Sequence, residues 1–195
     1  MRNLRRVTLI VAALSTVAIF SAACGGKKKH TPVNFSEPVG ITLTAHKTDV
    51  TGGVLLVQKN INTESGNPFA KFVTDANTAL NGNDPSSVSI TSLVLTLSSS
   101  SSVTGLEQVF SNSVSIVFVM NGSTGSYPAG SIASVSGTAA TMTSTFDTTS
   151  MTTADYQSFL GGQFKVALTG TAVPSFSTGN PNADMLATFE FAAFE

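Results

Sequence analysis

Phe164-Lys165-Val166-Ala167-Leu168-Thr169-Gly170-Thr171 places Phe, Val, Leu and Gly at even positions, with Lys, Ala, Thr and Thr between them. Side chains on a strand alternate between its faces, so this spelling predicts one dry face and one wet one. The same rhythm recurs along the chain. Ile41, Leu43 and Ala45 alternate with Thr42, Thr44 and His46; Ala140, Met142 and Phe146 are interleaved with Thr141, Thr143 and Thr145; Phe189 and Phe191 alternate with Thr188 and Glu190. Ser113 to Met120 buries Val114, Ile116, Phe118 and Met120 and adds Val117 and Val119 on its other side, which predicts a central strand. Val54 to Val57 supplies a short strand after Gly52-Gly53.

Val88 and Ile90 are apolar at even positions, whereas Leu93, Leu95 and Leu97 are apolar at odd ones. A strand serving one core face cannot change phase, so a bulge or bend near Ser92 is expected, letting the strand pass between sheets. About seven strands of this kind predict an all-β fold, an antiparallel β-sandwich with one or two short inserted helices. Ig-like and jelly-roll topologies both fit, and the Ig-like one is taken as the expectation.

Phe69, Phe72, Val73, Ala76 and Leu80 follow helical spacing, with Asn67 placed to cap, Pro68 suited to the first turn and Gly82 to termination. A shorter helix is expected from Ala154 to Leu160, capped by Thr153 and stopped by Gly161-Gly162. Gly105 to Phe110 reads as a turn, and the serine run Ser98 to Ser102 as a loop between strands.

The chain has 195 residues, 42% of them hydrophobic and 11% charged, with one cysteine and no tryptophan. That suffices for one well-buried domain and excludes a disulfide within one chain. The net charge of −1 hides an asymmetry, because Arg2, Arg5, Arg6, Lys27, Lys28 and Lys29 all precede Val33. From Val33 onward four lysines face eleven carboxylates, a net charge of −7. An acidic body repels a phosphate backbone, so no nucleic-acid partner is expected.

Arg2, Arg5 and Arg6 precede an uncharged stretch from Val7 to Phe20 and then Ser21, Ala22 and Ala23. Those fourteen uncharged positions span about 21 Å as a helix, short of the ~30 Å hydrocarbon core, as in a secretory signal peptide. Ser21-Ala22-Ala23-Cys24-Gly25 resembles the lipobox of bacterial lipoprotein precursors. The resemblance covers about 25 residues and implies cleavage after Ala23, a diacylglyceryl group on the Cys24 thiol and often an acyl chain on the new amino terminus. It also implies a cell-envelope address, with Gly25 at the position after the cysteine favouring the outer membrane over the inner. The alternative is an ordinary secretory signal cut near Ala23, leaving a soluble protein.

The organisation expected is therefore a signal peptide over 1–23, a lipidated cysteine and flexible tether over 24–38, and a β-sandwich over 39–195. Gly25, Gly26, the three lysines, Pro32 and Pro38 give the tether its composition.

Chemistry is sparse. His30 belongs to the tether and His46 to the polar face of a strand, so neither a zinc ligand set nor a Ser-His-Asp arrangement is expected. Asp75, Asp84, Glu107, Asp147, Asp155, Asp184 and Glu190 are candidate carboxylates for acid–base work, and only Tyr127 and Tyr156 join the phenylalanines as aromatic platforms. Asp75, Asn77, Asn81, Asn83 and Asp84, and on a smaller scale Asn180 to Asp184, offer oxygen ligands for calcium, although local turn chemistry accounts for Asn81-Gly82-Asn83-Asp84-Pro85. The expectation is no catalytic residue, no metal site and no cofactor. What remains is a membrane-anchored domain that acts by contact with another envelope protein or surface ligand. The alternative is a carrier or sensor of a small, lipid-like apolar ligand held between the sheets, prompted by Phe176, Phe189, Phe191 and Phe194 near the C-terminus.

Overall fold

The computed structural model describes residues 34–61 and 66–195. Among them are nine strands: β1 (Asn34–His46), β2 (Val50–Thr51), β3 (Val54–Asn60), β4 (Ser87–Leu97), β5 (Phe110–Met120), β6 (Ser126–Ile132), β7 (Ala139–Met142), β8 (Phe164–Ala172) and β9 (Asn182–Phe194). Three helices are interspersed: α1 (Pro68–Ala79), α2 (Thr153–Leu160) and α3 (Pro174–Thr178). The strands form two antiparallel sheets, ordered β1-β9-β4-β7 and β2-β3-β8-β5-β6. This is the expected β-sandwich, with nine strands in place of about seven. β2 is only two residues long, and β6 hides its rhythm behind Pro128 and Gly130.

The strand order corrects the Ig-like expectation. In an Ig-like sandwich the first strand lies beside the second; here β1 has β9 as its neighbour, and β3 pairs with β8, β4 with β7 and β5 with β6. The chain is thus a folded ribbon of nested pairs, closed by β4 on β9 and β5 on β8, which is jelly-roll order. Alternation dictates which face a residue takes and is silent about the neighbour. β1 and β9 fit because their inward residues match across the whole ladder, Val39 opposite Phe189, Ile41 opposite Ala187 and Leu43 opposite Met185.

The phase change in β4 is a bulge at Thr91, where the register with β9 steps between Ile90 and Ser92. It brings Val88, Ile90, Leu93, Leu95 and Leu97 all into the core. The expected passage between sheets does not occur, because β4 pairs with β9 on both sides of the bulge. Absorbing one residue restores the phase, so no change of sheet is needed.

Asn34 to Pro38, assigned by composition to the tether, are instead the first residues of β1, paired with Phe194 to Glu190. Pro38 lacks an N–H, which an edge strand tolerates. Phe35 supplies the reason for ordering, its ring centroid 6.1 Å from that of Phe72.

The α1 helix forms as expected. Asn67 Oδ1 accepts hydrogen bonds from the Phe69 and Ala70 amides, Pro68 opens the first turn, and Asn81 and Gly82 leave the helix with φ of 59° and 84°. α2 starts one residue earlier than expected, with Thr152 in place of Thr153 as cap, its hydroxyl accepting from the Asp155 amide. α3 lacks a side-chain cap and has no apolar period long enough to announce it.

Phenylalanine rings fill the space between the sheets. Phe118 of β5 lies 5.4 Å from Phe189 of β9, and Phe69 of α1 reaches Phe164 of β8 at 5.1 Å and Phe191 of β9 at 5.2 Å. Each such ring contributes roughly 1.5–3 kcal/mol by leaving water. Phe176, Phe189 and Phe191 are core residues, and Phe194 is partly exposed at the end of β9.

Candidate functional site

Alternation leaves the outer face of the four-stranded sheet dressed with small polar groups. The register sets Thr42, Leu186 and Thr96 in one row and Gly40, Thr188, Val94 and Thr141 in the next. Leu186 is 40% exposed, and its side chain lies over Gly40, where a Cβ would come within 3.1 Å of its Cδ1. Asp184 and Glu190 are the charged groups of β9 on this face, and no lysine or arginine occurs in β1, β4, β7 or β9.

At one end of the face is an open cleft of about 430 Å³, lined by Thr42, Thr96, Ser98, Ser100, Asp184 and Leu186 among others. Asp184 organises it. Its Oδ1 accepts from the Thr44 hydroxyl at 2.8 Å and its Oδ2 from the Ser100 hydroxyl at 2.9 Å. Those donors stabilise the carboxylate and hold its pKa below the ordinary 3.8, with the His46 side chain adding a smaller pull. Ser98 N–H donates to the Asp184 carbonyl, Ser101 Oγ receives the Asp184 amide, and Ser102 Oγ receives the Asn182 amide. The serine run is a loop, as expected. Sequence reading missed that it is pinned to β9, because its hydrogen-bond partners lie some 80 residues away.

Asp155, nearly buried in the first turn of α2, is the second ordered carboxylate. Its Oδ1 accepts from Ser123 Oγ at 2.6 Å and its Oδ2 from the Tyr127 hydroxyl at 2.7 Å. Both donors lower its pKa, and the same bond raises that of Tyr127. A Cβ at Gly125 would come within 2.5 Å of Asp155 Oδ2, so a larger residue there would displace the carboxylate. The cluster braces the β5–β6 turn against α2. Tyr156, pushed up to about 12 by burial and then by Asp84, donates to the Pro85 carbonyl.

The remaining candidates are dispersed. His46 is exposed at the end of β1, and its amide donates to Asp49 Oδ2 at 2.8 Å. Asp75 is held by Lys71, which also binds Glu37, while Asn77 Nδ2 donates to Asp84 Oδ1 at 3.1 Å. Among the described residues no three His, Cys, Asp or Glu side chains converge to hold a metal. The carboxyls with a clear shift, Asp75, Asp155 and Asp184, all move down and serve as hydrogen-bond acceptors. Glu107 Oε2 accepts from the Gly137 amide, and Asp147 Oδ1 from the Thr149 amide.

Ala23, Cys24 and His30 lie outside the described residues, as do Val7 to Phe20 and the three tether lysines. No described helix is long and apolar enough to cross a membrane. Neither family models, nor curated proteins, nor solved structures yield a match to this chain.

Proposed function

We propose that the chain is a bacterial cell-envelope lipoprotein, lipidated on Cys24 after cleavage behind Ala23, whose β-sandwich acts by contact and not by catalysis. The anchor reading is supported by Ser21-Ala22-Ala23-Cys24-Gly25 behind a cationic, apolar leader, with the chain's one cysteine at the lipobox position. Two or more acyl chains there give stable attachment, whereas one is marginal. An outer-membrane address follows from the same resemblance.

One observation carries the contact reading: the inner faces of both sheets meet ring on ring, so the sandwich interior is occupied by its own side chains. A carrier needs a void of ~300 Å³ or more between the sheets. A surface available for contact is the hydroxyl-rich outer face of the four-stranded sheet with its carboxylates.

Metabolic labelling with a clickable palmitate tests the anchor. Wild type is expected to label and Cys24→Ala not to; equal labelling of both overturns it. Crosslinking in intact cells followed by mass spectrometry tests the contact role, and crosslinks from the outer-face residues to another envelope component are the expected result. A native protein that co-purifies with lipid sequestered inside the sandwich would favour carriage.

A further inference from the structure

Sheet edges are where strand pairing between molecules begins, and natural proteins blunt them. Three edges here are visibly blunted. β2 has only two residues, and the stretch of β3 it leaves at the same edge, Leu56 to Asn60, carries Lys59. β7 has four, and Thr143 just beyond it exchanges both main-chain hydrogen bonds with Ser131 of β6, at 2.9 and 2.8 Å. β6 gains from that same link and carries Pro128 beside a bulge in its pairing with β5.

β1 is the fourth edge, thirteen residues long, and its two halves differ. The first half has Pro38 and the inward-facing Glu37, tied to Lys71 of α1 at 2.7 Å. The second half, Gly40 to His46, has no proline, no lysine and no bulge, and its register with β9 runs unbroken to His46 opposite Asn182. Gly40, Thr42, Thr44 and His46 are exposed.

Main-chain direction follows from β9. Its Asp184 and Phe194 carbonyls accept from Ser98 and Ser86 on the β4 side, so its odd residues bond to β1. The even residues of β1 therefore turn their N–H and C=O groups away from the sheet.

We infer that this half-strand is a self-pairing edge, whose occupant is a second copy of the same chain added antiparallel about a twofold axis at Thr42. The inference deepens the contact reading by naming a partner, and it makes no use of the anchor. That register sets Thr42 opposite the partner's Thr42 and Gly40 opposite the partner's Thr44. Every residue in the pairing is uncharged, so two acidic bodies meet without like charges facing across the ladder, and Thr–Thr pairs are favourable cross-strand neighbours. Pro38 falls opposite the partner's His46, and its missing N–H ends the ladder there. The contact is isologous and closes on itself, joining two four-stranded sheets into one continuous sheet without propagating into a filament.

Two measurements on the full chain test it. Residues facing each other in a hydrogen-bonded pair have Cα atoms about 5.5 Å apart, within disulfide range. Mild oxidation of cell envelopes should therefore convert Thr42→Cys to a covalent dimer. Thr188→Cys, on the same face but one strand inward, should not dimerise, and wild type, whose one thiol is Cys24, should not either. A wild-type dimer would indict the anchor reading, and the Thr42 and Thr188 variants are then compared in a Cys24→Ala background. In the second measurement, on detergent-purified protein, Thr42→Lys and Thr42→Glu each set like charges opposite one another. Each should weaken self-association by about tenfold or more in sedimentation velocity, and mixing the two should restore dimers. Absence of the Thr42→Cys dimer, linkage of that cysteine to a different protein, or dimers indifferent to both charges would overturn the inference.

Discussion

The two flanks of the sandwich are closed by different physics. On the β6/β7 flank main-chain hydrogen bonds join the sheets: Ser131 and Thr143 exchange both, and Ser144 Oγ donates to the Ala129 carbonyl. On the β1/β3 flank the two strands belong to different sheets, and α1 packs beside the first half of β1, with Phe69 and Phe72 against Phe159, Phe164 and Phe191. Hydrogen bonds satisfy an edge as they close it, whereas packing fills a gap and leaves the main chain beside it unsatisfied. The free half-strand, Gly40 to His46, lies on the flank where β1 and β3 belong to different sheets.

Removing the packing of α1 should have the largest effect. Phe69 of α1 is buried and touches rings from both sheets and from α2. Phe69→Ala should cost about 3–5 kcal/mol of unfolding free energy, read as a drop in urea midpoint at unchanged m-value. A loss below about 1 kcal/mol would mean that the flank is closed by something other than packing.

The sewn flank should be sensitive to bulk, not to loss of it. Gly130 of β6 sits where a Cβ would meet Leu93 Cδ2 at 2.6 Å and the Thr143 carbonyl at 3.2 Å. Gly130→Ala forces the sheets apart there and should cost about 1–3 kcal/mol, with faster amide exchange at Ser131 and Thr143. Unchanged exchange would show that Leu93 yields alone.

A smaller effect is expected at the cap of α1. Asn67 Oδ1 receives the Phe69 amide at 3.0 Å and the Ala70 amide at 3.4 Å. Asn67→Ala should cost about 1 kcal/mol and loosen α1 without altering the β6/β7 flank.

How much of this a reader could take from the chain depends on how far each signal must reach. α1 was legible because its stripe, cap and stop lie within sixteen residues, and the bulge at Thr91 because it breaks the count inside one strand. Faces were legible for β1, β5, β8 and β9 from alternation alone. Neighbours were not, since β1 meets β9 across nearly the whole described chain and any dry face in phase would satisfy the same spelling. Asn34 to Pro38 look like linker by composition, and only β9 makes them a strand. The same limit hid the site. A serine run, a threonine strand and a lone aspartate are each unremarkable, and their meeting at Asp184 is a product of topology.

Asp184 offers the subtlest separation of the two flanks, because it fastens the serine loop and Thr44 at the end of the free half-strand. Its folded pKa lies below the ordinary 3.8, so the stability it contributes is complete above that value and is lost as pH falls through the folded one. Asp75 and Asp155 are shifted the same way and share the window, which makes wild type alone uninformative. Asp184→Asn retains one side-chain oxygen as an acceptor and abolishes the titration. Urea midpoints measured from about pH 5 down to pH 2 should fall less steeply for the variant than for wild type. The difference should be smaller than any effect above, since Asp184 is only half-buried and water screens it. Amide exchange near Thr44 and Ser98 to Ser102 should quicken in the variant at neutral pH, while Ser131 and Thr143 stay protected. Equal quickening on both flanks would show that the sandwich opens as one unit and that the contrast between sewn and packed flanks has no consequence in solution.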